Sequence, residues 1–209
     1  MNDPFVYCAD IGSIRADRFG WYGGRGGGAD KRGKRIEDLV QAVVEDLNTE
    51  QSVALGFECP LWIPKASRPL DLTKARNGEG NRPWSAGAGT SALVTGAAEV
   101  LWVLAHIRKQ VDPEVQAHTS WSEFKISGGL LLWEAFVSGA GKSDTHVGDA
   151  QIAVEKFRGA LPDHNPANDV TTREEVFSLV GAALLRTGWT KDVGILAERC
   201  LVIKAESPG

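Results

Sequence analysis

The chain has 209 residues, of which 43% are apolar and 24% charged, and its net charge is −4 at pH 7. This balance is typical of a soluble globular protein with a full core, and the acidic charge argues against a nonspecific nucleic-acid binder. The three cysteines form no CxxC pair, and the N-terminus shows no signal-peptide pattern. We therefore expect a single reduced, cytoplasmic domain over residues 1–209, without a membrane segment.

Apolar runs predict the strands of a central sheet. The first buried strand is predicted over residues 5–11, with a hairpin partner over 18–23. Further buried strands are predicted over 52–58 and 129–137. Residues 199–204 fit either a last strand or part of a helix.

Helices are predicted between and after these strands. Apolar residues recur at i, i+3, i+4 and i+7 over residues 36–47, the spacing of an amphipathic helix. Longer apolar or mixed stretches predict helices over 90–110 and 147–160. A last helix is predicted over 173–187, with Thr172 as its N-cap. Strands that alternate with helices after an opening hairpin indicate an α/β domain with a largely parallel sheet.

Acidic residues interrupt the apolar strands. Asp10, Glu58 and Glu134 each lie in or at the end of such a run, and an ionised carboxylate there needs a partner, a metal or solvent. A fourth acid, Asp149, follows His146 by three residues on a helix, and we expect His146 at the surface. Because Mg²⁺ and Mn²⁺ prefer carboxylate oxygens, we predict that Asp10, Glu58 and Asp149 bind Mg²⁺ or Mn²⁺, with all four acids catalytic. The alternative for each acid is an ordinary solvated or hydrogen-bonded group.

The long segment 59–89 is rich in proline and glycine, which indicates an irregular loop. It follows Glu58 at the end of a predicted strand, where open α/β sheets bind their ligands. We predict that Arg68, Arg76 and Trp84 from this loop contact substrate, the arginines through phosphates and the tryptophan by stacking on a base. The alternative is a loop whose tryptophans pack on the domain and whose charges face water.

A family resemblance is carried by five short motifs in order: ADIGSIRADRFGWYGG, FECPLWIP, RPLDLTKAR, WEAF and GDAQIAV. Together they resemble the DUF429-type families of the ribonuclease H-like superfamily, which also contains the Holliday-junction resolvases. The resemblance implies a ribonuclease H-like mixed sheet with an opening hairpin and flanking helices. Glu58 stands where such relatives more often have Asp, and the superfamily also contains phosphotransferases and inactive members.

Three functions remain open at this point. The first is a metal-dependent, nuclease-like phosphoester hydrolase that acts on nucleic acid or another phosphate-bearing ligand. The second is a nucleotide-binding or phosphotransfer protein of the actin and sugar-kinase type, although 209 residues barely allow one of the two domains that such kinases use. The third is a non-catalytic binding domain on the same fold. The sequence leaves the oligomeric state open.

Overall fold

The computed structural model describes residues 3–49, 52–138, 142–164 and 168–205. Its strands, in chain order, are β1 (Phe5–Asp10), β2 (Gly20–Gly24), β3 (Lys31–Gly33), β4 (Val53–Phe57), β5 (Trp62–Pro64), β6 (Ala117–His118), β7 (Leu130–Val137), β8 (Val176–Ser178) and β9 (Leu201–Ala205). Its α-helices are α1 (Ile36–Asn48), α2 (Ala88–Arg108), α3 (Trp121–Ser127), α4 (His146–Gly159) and α5 (Leu179–Arg186).

Seven of these strands form one mixed sheet in the order β3-β2-β1-β4-β7, with β6 and β9 both pairing with β7. The pairs β1–β2 and β2–β3 are antiparallel, whereas β1–β4, β4–β7, β6–β7 and β7–β9 are parallel. The predicted α/β class, the opening hairpin, the mixed sheet and the flanking helices are therefore confirmed. The carboxyl ends of β1, β4 and β7 lie at one edge of this sheet, which is where the site described below forms.

Helices cover both faces of the sheet, and the central strands β1, β4 and β7 are buried on both sides as a result. Side chains such as Tyr7 and Leu55 pack in one core with α1, α2 and α5. Their neighbours along the strands, such as Cys8 and Ala54, pack in a second core with α3 and α4. Successive side chains of a strand point to opposite faces. The position of a residue along its strand therefore determines whether its side chain packs against α1, α2 and α5 or against α3 and α4.

The predicted helix over 173–187 is wrong in its first half. Residues Val176–Ser178 instead form β8, which pairs antiparallel with β5 from the loop 59–89. Helix α5 begins only afterwards, with the Ser178 side chain accepting a hydrogen bond from Gly181 N as its N-cap. The tertiary pairing of two short strands thus overrides the local capping pattern. Residues 199–204 are resolved in favour of a strand, β9.

Helix α2 is the one described helix that is long and apolar enough to cross a membrane by length and composition, a test that core helices of soluble proteins also pass. It packs against α1 and α5, and it carries a buried carboxylate, Glu99. These observations do not establish a membrane span, and the expected lack of a membrane segment stays a prediction.

Candidate functional site

Two of the predicted acids leave neighbouring parallel strands side by side. Asp10 is the last residue of β1, and Glu58 directly follows β4. The strands pair with Ala9 opposite Phe57, and Glu58 N donates to the Ala9 carbonyl at 2.8 Å. In-register neighbours on adjacent strands point to the same face, so both carboxyl groups lie on the side of the sheet covered by α4.

The third acid comes from the first turn of α4. The Thr145 side chain caps this helix by accepting from Gly148 N, which places Asp149 in its first turn. The helix start lies directly against β2, because a Cβ added at Gly20 would be only 2.4 Å from Val147 N. A side chain larger than hydrogen at this position of β2 would therefore push the helix start away from the sheet.

One carboxylate oxygen from each of Asp10, Glu58 and Asp149 lies within 4.8 Å of the others. We refer to these three residues as the carboxylate triad. The separation falls inside the roughly 4–8 Å expected of acids that share one ion. The predicted closeness of the three proposed ligands is therefore confirmed: Asp10 and Glu58 lie at the carboxyl ends of adjacent parallel strands, and Asp149 joins them from α4.

A lysine lies within the carboxylate triad. Lys142 Nζ is 2.9 Å from Glu58 Oε1 and 3.2 Å from Asp149 Oδ2. The next residue contributes its backbone, since Ser143 N donates to Asp149 Oδ1 at 2.5 Å. The segment before α4 thus supplies both a charged side chain and a backbone donor to the acids.

His146 also contacts the triad, which corrects its expected place as a plain surface residue. Its Nδ1 lies 2.5 Å from Asp10 Oδ2, although 40% of the side chain remains exposed. The first turn of α4 therefore presents His146 to one acid of the triad and supplies Asp149 as another. A protonated ring nitrogen at this distance stabilises the ionised form of Asp10.

Burial dominates the electrostatics of the triad. Desolvation raises the pKa of Asp10 to about 7, opposed by the Lys142 charge and by a hydrogen bond with Glu58, while the Asp149 charge adds to the rise. Desolvation and the neighbouring Asp10 charge also raise the pKa of Glu58 well above its usual range. Burial alone would lower the pKa of Lys142, but the carboxylate charges around it, that of Glu58 first, raise it. Lys142 therefore remains a cation at neutral pH.

The residues present fit a hard divalent cation. All three members of the triad offer carboxylate oxygens, the ligands that Mg²⁺ and Mn²⁺ prefer. One of these oxygens, Glu58 Oε2, is buried and has no hydrogen-bond partner among the described residues. A buried carboxylate oxygen without a partner is costly unless an ion or water completes its shell.

Comparison with known protein families, curated proteins and solved structures gives no match. The resemblance to the ribonuclease H-like superfamily therefore stays an expectation.

Glu134 does not join the triad, contrary to the expected convergence of the strand acids. It pairs in register with Phe57, one residue before Glu58, so it points to the opposite face of the sheet. There the Arg76 guanidinium binds it with two hydrogen bonds of 2.5 and 2.9 Å, and Leu61 N donates to it at 2.9 Å. This buried ion pair gives Glu134 a structural partner, and the contacts do not support its predicted catalytic role.

The loop 59–89 is held down by the same ion pair. Arg76 is only 3% exposed, also binds Glu79 at 2.8 Å, and stacks its guanidinium over the Trp62 ring at 4.5 Å. Glu79 in turn accepts from Trp84 N at 3.1 Å. The Arg76 guanidinium is therefore already paired with the carboxylates of Glu79 and Glu134, which corrects its predicted role as a free phosphate ligand.

A cavity of about 520 Å³ extends from Asp10 and Glu58 of the triad to this loop. Arg76 and Trp84 border it, whereas Arg68 does not and instead pairs with Asp71 on the surface at 2.6 Å. Another part of the wall comes from Arg18, Arg82 and small residues near the start of α2, namely Ala88, Gly89, Ser91, Ala92 and Thr95. The cavity thus combines an acidic floor with a partly basic and aromatic rim.

Two charged residues near the site were not anticipated. Lys142 lies in a Gly- and Ser-rich stretch that carries no motif, so the sequence offered no signal for it. Glu99 did offer one, since it is a lone acid in an Ala-, Val- and Leu-rich helix. It is buried and hydrogen-bonded to the backbone of Gly12, and desolvation raises its pKa to about 7.

Proposed function

We propose that this protein is a metal-dependent phosphoester hydrolase of the nuclease type on a ribonuclease H-like fold. Its substrate is nucleic acid or another phosphate-bearing ligand. The observation that carries the proposal is the carboxylate triad, whose oxygens lie within 4.8 Å of one another and of which Asp10 and Glu58 line a cavity. The same three acids also lie in three of the motifs that carry the resemblance to the ribonuclease H-like superfamily, ADIGSIRADRFGWYGG, FECPLWIP and GDAQIAV.

The residues divide into those that hold a cation and those that meet a substrate. Asp10, Glu58 and Asp149 would hold Mg²⁺ or Mn²⁺. Such an ion, when bound, supplies Lewis-acid polarisation of a phosphoryl oxygen and lowers the pKa of a bound water. His146 orients the Asp10 carboxylate through its contact at 2.5 Å.

The rim of the cavity suits an anionic, partly aromatic substrate. The exposed guanidinium groups of Arg18 and Arg82 border the cavity and would neutralise phosphate charge. Trp84 is half-buried and offers a ring face on which a base can stack. The start of the 21-residue helix α2 adds its favourable dipole on the same side. The loop end of the cavity would therefore bind the substrate, and the triad would act on its phosphate.

Hydrolysis assays test this proposal. The purified protein is incubated with Mn²⁺ or Mg²⁺ and end-labelled single-stranded, duplex and branched DNA, RNA, and bis(p-nitrophenyl) phosphate. We expect cleavage that needs the metal, is lost in Asp10→Asn and is retained in Asp17→Asn, an exposed acid on the loop after β1. Cleavage that persists in EDTA or in Asp10→Asn would contradict the proposal.

Thermal unfolding in the presence of different ligands distinguishes the hydrolase from the phosphotransfer protein and the non-catalytic binding domain. Mn²⁺ alone should stabilise the wild type, by about 2.7 kcal/mol at a hundredfold excess over Kd, and should leave Asp10→Asn unchanged. Stabilisation that requires ATP together with Mg²⁺ would favour the phosphotransfer alternative instead. No response to either would favour a non-catalytic binding domain.

A further inference from the structure

The Lys142 ammonium lies against two of the three carboxylates that would hold a metal ion. It is 2.9 Å from Glu58 Oε1 and 3.2 Å from Asp149 Oδ2, and its charge also acts on Asp10. Its position is set by the neighbouring backbone, because Ser143 N is anchored on Asp149 Oδ1. The lysine therefore contacts two members of the triad, Glu58 and Asp149, from one short segment before α4.

The charges of the triad explain why a cation is needed there. Three carboxyl groups whose oxygens lie within 4.8 Å repel one another when ionised, and burial strengthens that repulsion. The ammonium offsets part of it in the metal-free protein. A divalent cation coordinates oxygens at about 2.1 Å, so an ion held by the triad would lie close to the ammonium that now contacts two of the same carboxylates. Because both are positive, they repel each other at that distance, and metal binding disfavours the present position of the ammonium.

We propose that Lys142 is a resident cation that stands in for the metal and leaves the triad when a divalent ion binds. This inference rests on the proposed metal-dependent function. It assigns Lys142 a positioning role: the lysine keeps the three acids together before loading and lowers the apparent affinity for the ion. Metal binding then frees a positive charge at the cavity wall, which Lys142 also borders.

Chemical labelling of the wild-type protein tests the exchange directly. Lysines are acetylated briefly with acetic anhydride, with and without saturating Mg²⁺, and quantified by mass spectrometry. We expect the labelling of Lys142 to rise severalfold with Mg²⁺ because its ion pairs are lost. Lys34, which pairs with Asp17 on the surface, serves as the matched control and should not change. Unchanged or reduced labelling of Lys142 at a saturating metal concentration would overturn the inference.

Calorimetric titration with Mn²⁺ gives a second readout that does not depend on catalysis. Lys142→Met should bind Mn²⁺ at least about tenfold more tightly than the wild type, because one competing charge is gone, whereas Lys34→Met should match the wild type. Equal or weaker binding by Lys142→Met would overturn this inference and leave the proposed function standing. The absence of Mn²⁺ binding to both wild type and Lys142→Met would overturn the proposed metal-dependent function, and this inference with it.

Discussion

Replacing Asp10 by Asn should stabilise the metal-free protein, and the effect should depend on pH. In the unfolded chain the carboxyl group titrates near 3.8, whereas in the folded protein its pKa is about 7. Between these values the folded state holds more protons than the unfolded state, so the free energy of unfolding falls as pH rises. The full cost of an ionised Asp10 is present above about pH 7 and absent below about pH 4. Asn does not ionise, so it removes that cost.

The magnitude follows from the shift. The pKa moves from 3.8 to about 7, and each pKa unit corresponds to about 1.36 kcal/mol, which gives an upper limit of about 4 kcal/mol. We therefore expect Asp10→Asn to gain about 2 to 4 kcal/mol at pH 8 and only about 1 kcal/mol at pH 4.5, close to the pKa of the unfolded carboxyl group.

Urea unfolding in EDTA, followed by tryptophan fluorescence from about pH 4.5 to about pH 8.5, measures this difference. Asp17→Asn is the matched control: Asp17 has a left-handed backbone (φ 54°), which Asn tolerates, and its pair with Lys34 is exposed. The control should change stability by less than about 1 kcal/mol at every pH. A loss of stability in Asp10→Asn at pH 8 would refute the reasoning and would mark Asp10 as a structural hydrogen-bonding residue.

Three further substitutions test the buried ion pair, the helix packing and the helix cap described above. Glu134→Gln leaves the buried Arg76 short of a countercharge and should cost about 3 kcal/mol in urea unfolding; a loss below about 1 kcal/mol would contradict the structural role of the pair. Gly20→Ala should lower the calorimetric Mn²⁺ affinity because its methyl group displaces the start of α4, whereas Gly26→Ala, in open space, should leave it unchanged; equal affinities would argue against this placement of the helix. Ser178→Ala removes an N-cap and should cost about 1 kcal/mol, and no change in unfolding would show that the cap is dispensable.

The sequence predicted the longer elements, in which the burial of one face or of both faces leaves a clear apolar pattern. The stripe over 36–47 became α1, and the continuous apolar runs over 52–58 and 129–137 became the central strands β4 and β7. Short elements escaped because two or three residues carry no periodicity: β3, β5 and β6 are of this kind. Their existence depends on pairing with distant segments, which a local pattern does not contain.

The site was predictable in part for the same reason. Asp10 and Glu58 end apolar runs, and an acid in such a place is a strong local signal. Glu134 gives the same signal, but its meaning depends on strand register: a pairing shifted by one residue would have turned it to the face of the triad. Lys142 gives no signal at all, since its role arises only when the segment before α4 packs against the sheet.

The three native cysteines can serve as probes of local unfolding. Cys8 lies in β1, Cys59 just after β4 and Cys200 just before β9, and each is buried and free. Burial also raises the pKa of every one of these thiols, so the reactive thiolate is scarce even when a probe comes near. The rate at which each thiol of the native chain is alkylated by an isotope-coded reagent would therefore report the rate of local unfolding around its strand, without an engineered label. The edge strand β9 should release its thiol earlier than the central strand β1, because it has fewer neighbours to hold it.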